Sequence, residues 1–498
     1  MKRRRDALVL GMRSKHGSKT LLALGGAALA FGCAAAPANA PSGGPATAKS
    51  SSAAERRKVS VTIYNSNFAL VREERRLALA KGRVELAFAD VSAHIQPETV
   101  HLRALDAPNS LEVLEQNYRY DLLTPEKLLE KYVGKRVKVV RYNEKLGTEE
   151  TKVADVLSVE NGPTLRIDGE VTTGFPGRFV FPEVPPNLLA KPTLVWLLAS
   201  GVENQRVEVS YLTSELSWRA DYVLVLDAKD ASADLTGWVT LTNGSGTSYD
   251  DAELKLVAGD VQRVTPPPMP EPMEDEEKPR AAAPAPPAFQ QESLFEYHLY
   301  TLGRPTDLRD KETKQVTLLE AHGVKVEKKL EFRGTDYWYR NVYADLPKDQ
   351  KVGVWIDFVN EEKSGLGMPL PKGTVRVYKA DQSGAQQFVG EDAIDHTPRD
   401  EKVEIKLGDA FDVVADRKQT EWKALGTCSS ESAWQIELRN HKDTAETVHD
   451  LEPVGGDWEI VQASHPAAKK DAHTFEFVVP VPARGATTIT YRVRIRWC

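Results

Sequence analysis

Asp392, Asp395 and His396 fall within a five-residue window. A histidine beside two carboxylates can ligate a metal or act as a base. Lys372 and Asp409 are further polar groups that the fold could bring to the same place. Asp250, Asp251 and Asp260 offer hard oxygens of the kind calcium takes, at a spacing that fits no known calcium loop. Tyr337, Trp338 and Tyr339 make a row of aromatics. On a strand, Tyr337 and Tyr339 would share one face as a stacking platform for sugar rings, and Trp338 would point to the core. Each set also has a plainer reading: a polar loop, a solvated turn and a core tryptophan. HExxH, GxSxG, P-loop, GxGxxG and EF-hand patterns are absent, and the ten histidines are scattered. No catalytic residue, cofactor or metal is assigned.

The chemistry with the clearest sequence signal is at the N-terminus. Lys2, Arg3, Arg4, Arg5, Arg13, Lys15 and Lys19 precede a short apolar run, Thr20 to Phe31, that ends at Ala30-Phe31-Gly32-Cys33. The run is too short for a membrane-spanning helix and suits a signal peptide. Small residues before Cys33 point to a lipoprotein signal with lipidation at Cys33. Simple secretion is the alternative, with cleavage after Ala36 or Ala40, although Pro37 and Pro41 fit an extended protease site poorly. Ala34 in place of aspartate favours the outer membrane by resemblance to known lipoprotein sorting rules. The expected location is the cell envelope, facing periplasm or surface, with a soluble periplasmic or secreted protein as the alternative.

The chain has 498 residues, enough for two to four domains. Residues 1–32 carry seven Lys or Arg and one Asp, so their removal takes the net charge from −7 to −13. An acidic exported protein argues against nucleic acid as a partner and against an electrostatic grip on anionic lipid. Of the three cysteines, Cys428 and Cys498 remain if Cys33 carries lipid. An oxidising periplasm permits a disulfide between them, two unrelated thiols being the alternative. The lack of CxxC argues against thiolate zinc and thioredoxin-like redox work.

The elements that must position these groups are mostly strands. Val59-Val61-Ile63, Val207-Val209-Tyr211, Val375-Val377, Val403-Ile405-Leu407 and Trp434-Ile436-Leu438 all alternate with polar residues. Ile489 to Trp497 does so too, with Arg492, Arg494 and Arg496 on the other face. One buried and one wet face is the pattern of antiparallel sandwiches. The expected fold is mainly β, multidomain sandwiches, Ig-like in tandem. One short helix interrupts it, with Thr124 as N-cap, Pro125 in its first turn, an apolar stripe of Leu128, Leu129 and Tyr132, and Gly134 as terminator. A small barrel-like β module follows.

The expected layout is a signal peptide at 1–32, a disordered tether at 33–57 and an N-terminal β domain at 58–120. The helix and small module take 121–185. A β-sandwich at 186–345 holds a disordered Pro-rich loop at 265–292, and a C-terminal sandwich region covers 346–498. The loop assignment rests on nine prolines between Pro266 and Pro287 and the acidic run Glu274 to Glu277.

Several segments together carry a family resemblance. They include Ser217-Trp218-Arg219-Ala220-Asp221-Tyr222, Tyr249-Asp250-Asp251-Ala252, Val257-Ala258-Gly259-Asp260-Val261, Gly365 to Gly373, Val375-Arg376-Val377-Tyr378 and Gly390-Glu391-Asp392. The series resembles the bacterial family called domain of unknown function 4139, mucoidy-inhibitor-like proteins among its members, over roughly residues 200–498. Residues Thr62 to Arg103 look like the β domain that often precedes it. The resemblance implies no catalytic residue and no cofactor. It also implies that the Pro-rich stretch is a loop inserted within one unit.

The expectation is therefore an envelope lipoprotein with a non-enzymatic binding or scaffolding role. Its partners would be the membrane, through the lipid anchor, and an envelope protein or polysaccharide. A periplasmic hydrolase acting on envelope glycan or peptide and a glycan-binding module are the alternatives.

Overall fold

The computed structural model describes residues 46–119, 123–143, 147–185, 188–189, 191–259, 261–263, 289–343 and 346–498. Cys33, Asp260 and residues 265–288 of the Pro-rich stretch lie outside them. The described chain is mainly β, with Pro125–Lys131 as its α-helix. The alternating runs form strands whose buried face follows the period of two. Gln205–Ser214 buries Val207, Val209 and Tyr211, and Gly485–Arg496 buries Ile489, Tyr491, Val493 and Ile495. Arg492 and Arg494 lie on the other face of the latter and pair with Glu421, Glu431 and Glu459.

The N-terminal sandwich does not end at residue 120. Arg56–Tyr64 pairs in parallel with Tyr249–Ala258, and Phe68–Leu77 pairs antiparallel with Gln205–Ser214. The opposing sheet sets Gly82–Ala89 between Thr193–Ser200 and Thr47–Ser51, so residues 47–57, expected as the end of a disordered tether, are ordered parts of the sandwich, with Ser51 buried beside Arg75. The two sheets share a core that includes Val61, Ile63, Val71, Phe88, Trp196 and Tyr211. Residues 58–120 are therefore no independent domain, because their strands also pair with strands between residues 193 and 258. Alternation identifies a half-buried strand but not its neighbour.

The small module is an insertion in the hairpin formed by Leu111–Arg119 and Thr193–Ser200. Thr124 caps its helix by accepting from the Lys127 N–H at 3.2 Å, Leu129 is buried, and Gly134 sits at φ 78°. Its sheet runs Glu170–Thr173, Thr164–Ile167, Thr148–Ser158, Arg136–Asn143, Arg178–Val180. The first and last strands are edges, so the module is an open five-stranded sheet rather than a closed barrel.

A thirteen-stranded sheet carries the remainder. Leu216–Leu226 pairs in parallel with Gly373–Ala380, which crosses the boundary expected near residue 345. Two very long strands run through it, Glu312–Arg333 of 22 residues and Lys402–Gly426 of 25 residues. The first pairs with Ser232–Asn243, then with Gln350–Val359 and Glu446–Pro453. The second pairs first with Gln350–Val359 and then with Ser429–Asn440. The sandwiches are thus continuous through shared strands rather than strung in tandem. Residues 289–292, expected as the end of the disordered loop, belong to the strand Phe289–Leu294, which pairs with Tyr297–Leu302.

Cys428 and Cys498, 70 positions apart in sequence, form a disulfide with Cα atoms 5.6 Å apart. It lies at the end of an existing ladder, where Ser429 faces Arg496. On the chain-entropy account a loop of this length contributes about 4 kcal/mol.

The first part of the large sheet curls until Gln386–Ile394 meets Lys402–Gly426. The Lys406 N–H donates to Asp392 Oδ2 at 2.8 Å, and Gly390, at φ 154°, lies so close that a Cβ there would stand 2.3 Å from the Leu407 carbonyl oxygen. Gly390→Ala should therefore cost about 3 kcal/mol through strain and overlap, read as a lowered urea midpoint. An unchanged midpoint would mean that the curl tolerates a wider gap.

Candidate functional site

Of the residues proposed from sequence for metal or proton chemistry, the structure brings Lys372 beside His396 and sets Asp392 and Asp409 against Lys406, without arranging a metal-binding group among the described residues. Asp392 braces the curled sheet, its two carboxylate oxygens accepting from the Ala393 and Lys406 N–H groups. His396 Nδ1 accepts from the Lys372 N–H at 3.1 Å, and the Asp395 carbonyl accepts from Thr397 Oγ1. Asp409 pairs with Lys406 at 3.3 Å. Asp251 sits at φ 51°, and its N–H donates to Asp307 Oδ1. Among the described residues no group of three or more His, Cys, Asp or Glu is arranged to hold a metal ion.

The aromatic row is where the structure departs from the sequence reading and gives a site. Asp336–Arg340 is a short 3₁₀ helix, not a strand. Tyr337 and Tyr339 therefore do not share a face. Tyr337 is 52% exposed, whereas Trp338 and Tyr339 are buried. The partner of Tyr337 at the surface is Tyr343, with ring centroids 6.3 Å apart and planes at 57°. Gly334, Thr335 and Asp336, all turn-favouring, stand before the row, and Asn341 follows it. That punctuation is the signal that could have found the helix.

The two tyrosines are held from several sides. Gln419 Oε1 accepts from the Tyr343 N–H at 2.8 Å, and its Nε2 donates to the Asn341 carbonyl at 3.0 Å. The Tyr343 hydroxyl donates to the Tyr337 carbonyl at 3.2 Å. Half-buried Trp422 and buried Ser430 both donate to the Tyr339 carbonyl. Beneath Tyr337 lies Trp338, edge to face at 5.9 Å, and Trp338 in turn packs on Trp434 at 6.4 Å. Arg340 and Asp336 form an ion pair at 3.1 Å on the same helix.

Under this stack is a fully buried charge network. The Arg417 guanidinium lies 4.6 Å from the Trp338 ring centre and 5.1 Å from that of Phe332. Its Nη1 donates to Glu452 Oε2 at 2.7 Å and to the Tyr491 hydroxyl at 3.3 Å. The Tyr339 hydroxyl donates to the same carboxylate and lies 3.0 Å from that of Tyr491. Burial alone would raise Glu452, but the Arg417 charge reverses this and holds its carboxyl below the usual range. Asp450, 3.6 Å from Arg417, is pushed well above the ordinary range, first by burial and then by the Glu452 charge. With Asp450 neutral, one arginine balances one carboxylate.

A sequence model of the family described as domain of unknown function (DUF4139) matches residues 207–498, and the chain belongs to that family. A comparison with curated proteins found no match. The match includes the tyrosine pair, the Arg417 network and the whole curled sheet. The small module precedes it, as does the strand Arg56–Tyr64 that completes the N-terminal sheet.

Two substitutions separate the roles within the network. Arg417→Met leaves Glu452 buried without its counter-charge and should cost about 3–5 kcal/mol, measured by urea unfolding. Asp450→Asn replaces an acid already neutral in the fold. Because the raised carboxyl binds a proton that the unfolded chain releases above about pH 4, it lowers stability as pH rises. The asparagine variant should thus gain on the wild type between about pH 4 and 7. Parallel stability curves across that range would show that Asp450 is ionised.

Proposed function

We propose that this DUF4139 protein is a non-enzymatic binding or scaffolding protein of the cell envelope. Cys33 tethers it by lipid, to the outer membrane since Ala34 follows, and the Tyr337–Tyr343 platform binds envelope polysaccharide. The observation that carries the reading is the platform itself. Exposed Tyr337 and half-buried Tyr343 stand together over an aromatic support, and the polar groups around them are held by hydrogen bonds. Tyrosine rings expose apolar faces for the C–H faces of sugar rings, with hydroxyls able to hydrogen-bond at their edges. Preorganisation matters because a sugar polymer bound by mobile side chains must also overcome their ordering. The support also favours binding over catalysis, since its ionisable groups are enclosed in the core, Arg417 against Glu452, instead of facing a substrate.

The anchoring part rests on the small residues before Cys33 and on the short apolar run. Intact mass and membrane fractionation of wild type and Cys33→Ala test it. Acylated mass and membrane association should both be lost in the variant. A soluble, unacylated wild type would remove the anchor from the proposal.

For the platform, the full-length protein is sedimented with isolated peptidoglycan and run by affinity electrophoresis through the soluble exopolysaccharide of its host. Tyr337→Ala and Tyr343→Ala should each weaken polysaccharide binding about tenfold while leaving the unfolding midpoint near that of the wild type. Undiminished retardation of the double variant would overturn the reading.

A further inference from the structure

The curl of the large sheet leaves a cleft of about 230 Å³ at one end, lined by six of its strands and the turn after Leu216–Leu226. Its floor is aliphatic: Leu226, Val354, Ile356, Val389 and Leu407. The floor exists because Gln386–Ile394 returns against Lys402–Gly426, bringing Val389 across from Leu407. Gly408 stands in the lining, and a Cβ built there would meet nothing within 4 Å.

The rim is charged. The turn between Leu216–Leu226 and Ser232–Asn243 holds Asp230 in a left-handed conformation, φ 56°, and is closed by the Asp227 side chain, which accepts from the Ala231 N–H. This swings the Asp230 carboxylate between two lysines on different strands, Lys379 at 2.5 Å and Lys328 at 3.1 Å. Burial raises the Asp230 carboxyl, but the two lysines outweigh it and hold it ionised below the usual range. Two ammonium groups therefore share one carboxylate. Asp409, also at the rim, is matched by Lys406. Among the described residues, one positive charge thus remains uncompensated beside an apolar floor. The lysine side chains are about a third exposed, 31% for Lys379 and 35% for Lys328, so both can still reach a ligand.

We propose that this cleft binds a small amphipathic anion, a carboxylate or phosphate on an aliphatic body. A cleft of this size takes a short acyl or alkyl chain rather than a whole lipid. The floor excludes water around the chain, and the lysine pair gives the head group charge-assisted hydrogen bonds. A free sugar is a poor match, since its hydroxyls would lie against aliphatic walls without partners. The site is separate from the tyrosine platform, and neither proposal depends on the other.

Calorimetric titration of the full-length protein with octanoate, octyl phosphate, octanol and acetate tests this. Both octyl anions should bind saturably at one site. Octanol should bind at least tenfold more weakly, and acetate should give no saturable signal. Lys379→Gln should weaken the two anions about tenfold and leave octanol unchanged, a selectivity that a purely structural lysine would not produce. Val389→Trp, at a position 39% exposed, should fill the cleft and abolish octanoate binding without moving the unfolding midpoint. Tighter binding of octyl phosphate would assign a lipid phosphoryl group as the natural head, and tighter binding of octanoate a fatty-acid carboxylate. Absent octanoate binding, equal affinity for octanol and octanoate, or octanoate binding untouched by Val389→Trp would each overturn the proposal.

Discussion

Arg417 is a charge with nowhere to go but Glu452, and much of the C-terminal sandwich is arranged around that constraint. A guanidinium buried without a counter-ion would be untenable, so Glu446–Pro453 must place Glu452 opposite it. The carboxylate in turn accepts a hydrogen bond from the Tyr339 hydroxyl, which fixes the end of the 3₁₀ helix Asp336–Arg340. The faces of Trp338, Phe332 and Trp434 enclose the guanidinium. Tyr337 therefore rests on a ring whose position is set by a salt bridge in the core. The chain from Glu452 to the exposed tyrosine passes only through direct contacts.

The N-terminal sandwich uses the same device. Glu73 takes Arg56 at 2.7 Å and Arg75 at 3.0 Å, with the Arg75 guanidinium 3.5 Å from the centre of the Phe88 ring. Arg75 also donates to the Ala89 carbonyl of the opposing sheet at 2.8 Å. Such groups are poor sources of net stability, since their desolvation offsets the attraction. Their consequence here is register. A one-residue slip of Phe68–Leu77 would turn Glu73 and Arg75 to solvent and force Glu74 and Arg76 into the core without these partners. Long strands with many alternating residues have several near-equivalent registers, and a buried ion pair makes the wrong ones expensive.

What could be read from the chain follows from this. Ile489 to Trp497 was legible because hydrophobic and arginine positions alternate cleanly and the structure buries one face only. The helix after Thr124 was legible because cap, proline and glycine are local signals. The Arg417 network was not, because Asp450-Leu451-Glu452 has the look of a strand with one wet face. In the structure both faces of that strand are buried, the leucine and the two acids alike. Alternation cannot distinguish a solvated charge from one enclosed by distant partners. Pairing across more than a hundred residues was equally beyond reach, which is why the domain boundaries expected near residues 120 and 345 turned out to be crossed by sheets. Tyr337 was noticed and its partner mistaken, since reading the row as a strand gave it a period of two.

The curled sheet shows how a binding feature can arise from a constraint on glycine. Without a side chain at Gly390, one edge of the sheet can close on Leu407 to within contact distance of its carbonyl. That closure is what bends six strands around a concave floor. The charges at the rim then come from a turn whose left-handed aspartate collects lysines from two non-adjacent strands. Neither the floor nor the rim belongs to a local motif, so no short pattern in the sequence could announce the cleft. The region matched by the family nevertheless contains every strand that builds it, whereas the small module sits in a separate hairpin. The family's shared part therefore holds both the tyrosine pair and the cleft, each built from strands far apart in the chain.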